Sequence, residues 1–283
     1  MLNRKAIAVI LTLALAGSIS VEAQEKEQSI VDKYLQKSED MHVRKLGWVS
    51  FSFGVNRINR NNDYNTFATV ESAFLDGASL SWLSQAYSFG ADFGVVLHDR
   101  FAWSLGGEYW LNLGESLDGT YNYFPSNGLP ATITDLQSKI TVYGGYTGFG
   151  YYVINPPSKS DQLHDLAVKV GGTVGLYLAK WDLWQEYQNL NLATSQSTDV
   201  NTTFQGTAPG FTIDLGIEYP VGIWNLAASI DINYLYLNFS NVAWYNSNDE
   251  EIIVSRDGTD EGRVDLTFSG VRGKFEMKRF FSW

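Results

Sequence analysis

From Leu46 to Trp283 apolar side chains recur at every second position, in segment after segment. A period of two is the signature of a strand with unlike faces, and it excludes helices as the main framework. In the clearest segment Phe101, Trp103, Leu105, Gly107, Tyr109, Leu111 and Leu113 share one face. Ala102, Ser104, Gly106, Glu108 and Asn112 lie on the other, and Trp110 breaks the pattern. The composition agrees: 45% of residues are hydrophobic, yet the mean hydropathy is -0.15. Those values coexist when apolar residues alternate with polar ones.

About eight such segments follow one another. The first carries Val49, Phe51, Phe53 and Val55, and the second Tyr87, Phe89, Phe93, Val95 and Leu97. The Phe101 segment is the third. The fourth carries Ile140, Val142, Gly144 and Tyr146, and the fifth Val168, Val170, Val174, Leu176 and Leu178. The sixth carries Phe211, Ile213, Leu215, Ile217 and Tyr219, and the seventh Leu226, Ala228, Ile230, Ile232 and Tyr234. The last starts with Val264, Leu266 and Phe268 and ends with Phe275, Met277, Phe281 and Trp283. Its phase changes near Gly270, which predicts a β-bulge. A ninth and tenth strand are possible if Thr66 to Trp82 pairs as a hairpin about Asp76-Gly77; the alternative there is a flexible loop.

The connections alternate in length. His98-Asp99-Arg100, Asn155 to Gln162 and Pro220-Val221-Gly222 are short, whereas Arg57 to Leu80, Gly114 to Asp135, Asp182 to Gln205 and Ser240 to Gly262 are long. Short turns at one end and long loops at the other are the rhythm of an up-and-down transmembrane barrel. A soluble barrel alternates too, so the polar face decides between them. That face is built of Gly, Ala, Ser, Thr and Asn with isolated charges, which suits a narrow lumen and not a solvated surface. The large apolar face then meets lipid. Trp48, Trp103, Tyr152, Trp181, Tyr219, Trp224, Tyr236 and Trp283 are expected to form interfacial aromatic girdles.

The N-terminus adds a route. Arg4 and Lys5 precede the apolar run Ala6 to Ala16, and Val21-Glu22-Ala23 offers a cleavage site after Ala23. This is the pattern of a secretory signal peptide over residues 1–23. Residues 24–45 are charged and form a periplasmic lead-in, either a short amphipathic helix or a disordered tail, before a barrel over 46–283. The sequence contains no cysteine, which excludes disulfides, thiol catalysis and lipoprotein acylation. A net charge of -11 argues against a nucleic-acid partner.

These patterns resemble the small OmpA/OmpX-type outer-membrane β-barrel proteins. The resemblance implies residence in the bacterial outer membrane, among lipid and lipopolysaccharide. It also implies a C-terminal strand read by the barrel-assembly machinery, carried here by Phe275, Met277, Phe281 and Trp283, with Arg279 departing from the pattern. Some barrels of this kind are lipid-modifying enzymes or proteases, usually with a rim histidine. His42, His98 and His164 are all placed away from the extracellular rim, so no catalytic, metal or cofactor site is expected. Carboxylates from Asn248 to Glu251 and from Asp257 to Glu261 lack EF-hand spacing and read as a solvated acidic loop.

Inside the barrel Glu108, Asp214 and Asp231 are expected to face Lys169 and Arg272 or Lys274. Buried charges must pair, which predicts an ion-pair network, structural or gating, that plugs the lumen. The functional expectation is a structural or surface-interaction barrel whose extracellular loops meet a ligand. The alternative is a narrow pore for ions or small hydrophobic molecules, and the third reading is a lipid-modifying enzyme.

Overall fold

The computed structural model describes residues 46–58, 63–97, 100–123, 131–154, 166–189, 197–221, 225–246 and 264–282. The signal segment with Ala23, the lead-in, the three histidines, Trp224, the 248–261 acidic stretch and Trp283 lie outside these residues.

Among the described residues there are eleven strands and one helix: β1 (Leu46–Ile58), α1 (Asp63–Phe74), β2 (Leu75–Asp76), β3 (Gln85–Leu97), β4 (Phe101–Leu113), β5 (Ser116–Tyr123), β6 (Ala131–Ile154), β7 (Ala167–Asn189), β8 (Ser197–Pro220), β9 (Leu226–Asn246), β10 (Val264–Thr267) and β11 (Gly270–Ser282). Eight of them close a ring in the order β1-β3-β4-β6-β7-β8-β9-β11. All pairings are antiparallel, and β1 joins β11 from Leu46 opposite Ser282 to Ile58 opposite Gly270. The fold is an all-β, eight-stranded up-and-down barrel. The three remaining strands are short, so the optional hairpin does not enlarge the ring. Thr66 to Phe74 is helical instead. The helix has Asp63 in its first turn and buries Tyr64 and Ala68, a spacing of four that places both on one helical face.

Two of the short strands are continuations. Leu113 opposes Ile140 and Ser116 opposes Gln137, so β5 extends β4 along β6 in unchanged register. The kink between them sits at Gly114 (φ 98°), where the Ser138 carbonyl leaves no room for a Cβ. Likewise β10 extends β11 along β9, with Thr267 opposite Asn238 and Gly270 opposite Leu235. No slip occurs near Gly270; the register shift lies between Val264 and Leu266.

What changes near Gly270 is the meaning of the two faces. In the lower part, by the short turns, outward side chains are apolar and exposed: Phe51, Phe89, Leu105, Phe149, Val174, Ile213 and Ile232. The outward apolar run covers Tyr87–Leu97, Val168–Leu178, Phe211–Tyr219 and Leu226–Tyr236 on four of the strands. Each matches the roughly 9–11 residues that carry a tilted strand across a bilayer. Higher up the polarity reverses. Trp110, Leu136, Ile140, Trp181, Leu237 and Phe268 fill the interior, while Gln137, Lys139, Lys180 and Gln205 face outward and are exposed.

This reversal corrects four expectations. Leu113 of β4 and Ile140, Val142 and Tyr146 of β6 point inward, and the outward face of β6 is Tyr143, Phe149, Tyr151 and Val153. Leu266 and Phe268 belong to the interior, opposite in sense to the exposed Phe275. Trp48, Tyr152 and Trp181 are buried in the barrel and not in a girdle; Trp48 occupies the space left by Gly94. Tyr219 and Tyr236 face outward as expected, joined by Tyr87, Tyr143 and Tyr234 at the upper edge and Phe101 and Tyr151 at the lower. Finally, many of the residues read as long loops after β4, β7 and β9 are strand, because β6 to β9 run on for 21 to 24 residues, well past the apolar belt.

β1 and β3 stop at the level of the reversal, so the upper wall has a gap between β10 and β5. The β1–β3 connection fills it. β2 pairs with β5, and Asp63 of α1 accepts the backbone N–H of Asp265 in β10 at 2.6 Å. Tyr64 and Phe67 of α1 pack edge-on against Trp181, at centroid distances of 5.5 and 5.3 Å, and Trp181 stacks on Phe204 at 4.6 Å. Trp181→Ala therefore removes the centre of the upper core and is expected to lower unfolding stability by about 3–5 kcal/mol. Trp184→Ala, three residues on and facing outward, should stay within about 0.5 kcal/mol. Urea titrations of the two variants check the contrast.

Candidate functional site

The lower lumen is lined by charge because its strands present their small-residue faces inward, leaving space for long polar side chains. The strand β11 supplies a ladder: Arg272, Lys274, Glu276 and Lys278 alternate inward. Carboxylates on other strands meet its cations. Arg272 is 2.7 Å from Glu108 Oε2 of β4 and donates through Nε to Asn233 Oδ1 at 3.0 Å. The Tyr177 hydroxyl donates to the other oxygen of Glu108 at 2.9 Å. Lys274 lies 3.3 Å from Asp92 of β3 and 5.9 Å from the centroid of Tyr146. Lys278 contacts Glu218 of β8 at 2.6 Å and Glu276 at 3.7 Å, with the Tyr152 hydroxyl donating to Glu218 at 3.4 Å.

Of the residues singled out in the sequence, Glu108 and Arg272 stand in direct contact. Lys169 and Asp231 are 3.9 Å apart, and Ser229 donates to Asp231 at 3.0 Å. Asp214 lines the same cavity as Lys169, Asp231 and Arg272. Sequence reasoning missed Asp92, Glu218, Glu276 and Lys278. The signal was present: Asp92 lies on the face opposite Phe89 and Phe93, and Glu276 and Lys278 on the face opposite Phe275 and Met277. Phe275 and Val271 face outward and exposed, as does Arg279, beside a partly covered Met277.

The charged layer encloses a cavity of about 60 Å³, room for a few ordered waters. Below it Trp48, Tyr152, Phe280 and three alanines form a small cluster. Above it lies the apolar core. The charged layer thus has an apolar cluster on either side of it along the barrel.

The upper tier has its own polar feature. Glu71 of α1 turns toward the core, and among the described residues one of its two carboxylate oxygens, Oε2, has no hydrogen-bond partner. Burial pushes its carboxyl up to about 7, against lowering hydrogen bonds from Tyr123 and Gln185. Burial likewise raises the Tyr64 hydroxyl to about 12, with the Glu115 charge adding to the rise.

No family model matches the chain, and no curated protein matches it. Among solved structures, neisserial surface protein A is similar at 10% identity and a TM-score of 0.37, covering 84% of this chain and 97% of that one. A major outer membrane protein of Thermus thermophilus is 11% identical with a TM-score of 0.41, covering 83% and 99%. Ail of Yersinia pestis, solved with the heparin analogue sucrose octasulfate, is 11% identical with a TM-score of 0.36, covering 84% and 100%. At these identities and scores no residue role or activity passes to this chain. Its own ring order and closure make it a closed eight-stranded antiparallel barrel.

Two outcomes are expected. Arg272→Met strands the Glu108 carboxylate and should cost about 3–5 kcal/mol, whereas Arg272→Met with Glu108→Gln should recover most of that loss; a double-mutant cycle by chemical unfolding measures both. For Glu71, a raised carboxyl means that the docked helix retains a proton the undocked one sheds. Docking therefore weakens as pH climbs from the ordinary 4.5 to about 7 and is flat beyond. Hydrogen exchange of the 63–74 amides across that window should show the slope, and Glu71→Gln should abolish it.

Proposed function

We propose that this protein is a non-conducting outer-membrane barrel that fixes a rigid, strand-built platform above the outer leaflet for surface interaction. The observation that carries the reading is the stacked lumen: a charged layer within the apolar belt, covered by a dry core and by α1. An apolar belt of bilayer height supports residence in a membrane, and the short β3–β4 and β8–β9 turns at one end with strands extended past the belt at the other support the orientation. Binding residues on such scaffolds sit on what projects from them. Here that is a walled extension of β6 to β9 with α1 set in its side.

A sealed core disfavours the pore reading. Conduction would require the Trp110–Trp181–Phe268 layer to open, at the loss of the burial that stabilises it. An ion-pair layer beneath a closed core is a structural device: Arg272, Lys274 and Lys278 tie β11 to β4, β3 and β8 across the lumen.

The test is planar-bilayer recording of protein whose unheated gel mobility differs from that of the boiled form. Inserted protein should show no steady openings, and Glu108→Gln should leave it silent. Regular openings that change with Glu108→Gln would sink the non-conducting reading in favour of the pore.

A further inference from the structure

Between its two apolar clusters the lumen holds six carboxylates, Asp92, Glu108, Asp214, Glu218, Asp231 and Glu276. Four cations face them, Lys169, Arg272, Lys274 and Lys278. Six against four leaves two negative charges in excess among the described residues. Within the apolar belt that excess is costly, because a charge removed from water has to be paired or neutralised.

The ion pairs show where the excess resides. Arg272 is taken by Glu108 and Lys274 by Asp92. Lys278 is shared between Glu218 and Glu276. Lys169 comes no nearer than 3.9 Å to Asp231 Oδ1, and that oxygen accepts no hydrogen bond among the described residues. Asp231 is only 4% exposed. Lys274 stands opposite it in the register of β9 and β11 but turns to Asp92. The unpartnered oxygen occupies the space that a Cβ at position 216 would take, so Gly216 is what lets this carboxylate reach over β8. Asp214 forms no ion pair among the described residues, and Thr212 hydrogen-bonds its carboxylate. In the register of β8 and β9, Asp214 opposes Asn233 and Asp231 opposes Gly216. The two aspartates are therefore diagonal neighbours on one face, about 7 Å apart. Both line the cavity of about 60 Å³, together with the hydroxyls of Ser104 and Thr173.

We propose that this cavity binds one alkali-metal cation between Asp214 and Asp231, with hydroxyl oxygens and water as its remaining ligands. Two features select this occupant. A proton neutralises a carboxylate without needing space, whereas the cavity has room for an ion and a few waters. A divalent ion of the calcium type takes about six to eight oxygens, several of them from carboxylates, and no group of three acidic or histidine side chains converges on such a site among the described residues. A monovalent ion needs less, and it offsets half of the excess charge. With an apolar cluster on either side, the ion is held and not passed, so the inference rests on the non-conducting reading above.

The experiment unfolds the full chain, folded in detergent micelles, with urea at neutral pH in sodium chloride or in N-methylglucamine chloride of equal ionic strength. The organic cation screens surface charge equally and is too large for the cavity. A site half filled near about 10 mM predicts that about 100 mM sodium lowers the unfolding equilibrium constant about tenfold relative to N-methylglucamine. Asp214→Asn should abolish this difference. Lys169→Gln deepens the excess and should enlarge it, which keeps the test decisive if the first variant does not fold. Asp182→Asn, at the exposed pair with Lys180, should leave the difference unchanged. Equal unfolding of the parent protein in the two salts overturns the site and leaves protons to balance the lumen. A sodium effect that survives Asp214→Asn, that Lys169→Gln does not enlarge, or that Asp182→Asn removes also overturns it. Steady openings in bilayer recordings would bring down the non-conducting reading alone, because the sodium dependence of unfolding is read without any current.

Discussion

The pairing of β1 with β11 is the constraint on which everything else depends. Within an apolar belt no water reaches the backbone, so each N–H and C=O needs a partner in the protein. Thirteen positions of β1 answer thirteen of β11, and the sheet has no free edge at that level. Closure with eight strands leaves a narrow lumen. The narrow lumen in turn explains the glycines and small hydroxyl residues on the inner faces, and why the few large groups there are charged and matched. Arg272, Lys274 and Lys278 sit on the closing strand itself. Their partners, Glu108, Asp92 and Glu218, lie on three other strands, none of them a direct neighbour of β11, so the ion pairs brace the ring through its interior as the backbone bonds brace it around its circumference.

A second constraint acts along the axis. The strands pass from an apolar surrounding into water, and each face must answer both. The chain solves this by exchanging the roles of its faces, keeping the register across the break between β10 and β11 and shifting it in β4 between Trp110 and Leu113. On β9, Asp231 and Asn233 give way to Leu235, Leu237 and Phe239 on the same inward face. On the outward face of β7, Leu178 gives way to Lys180. The upper tier thus has the core of a soluble barrel and the lower tier the inside-out arrangement of a membrane one. α1 belongs to the upper tier for the same reason: an edge left by two short strands in water can be covered by an amphipathic helix, whereas in lipid only strand pairing would serve.

Much of the fold is legible from residues alone. The period-two runs place the outward faces of β1, β3, β7, β8 and β9 correctly, and that of β4 as far as Leu111, Leu113 lying in the upper core; the short turns mark one end. Errors gather where the alternation meets the exchange of faces. Trp110, which breaks the pattern of β4, is the first inward residue of the upper core. Ile140 and Val142 read as outward from spacing alone because an apolar residue on a strand names no side by itself. The apparent phase change near Gly270 is the same exchange, seen on β11 and β10. Trp48 and Tyr152 look like girdle aromatics by position, but Gly94 opens space for one and Glu218 offers a hydrogen-bond acceptor to the other, and neither neighbour is near in sequence.

By itself, then, the sequence determined the strand period, the number of crossings and the chemistry of each face, because these depend only on the backbone repeat and on side-chain type. Tertiary structure decided which face is inside at each height, which charges meet, and that residues 63–74 form a helix that closes the wall. Those outcomes depend on partners 60 to 202 positions away and on whether water or an apolar surrounding lies outside, and local spacing carries neither.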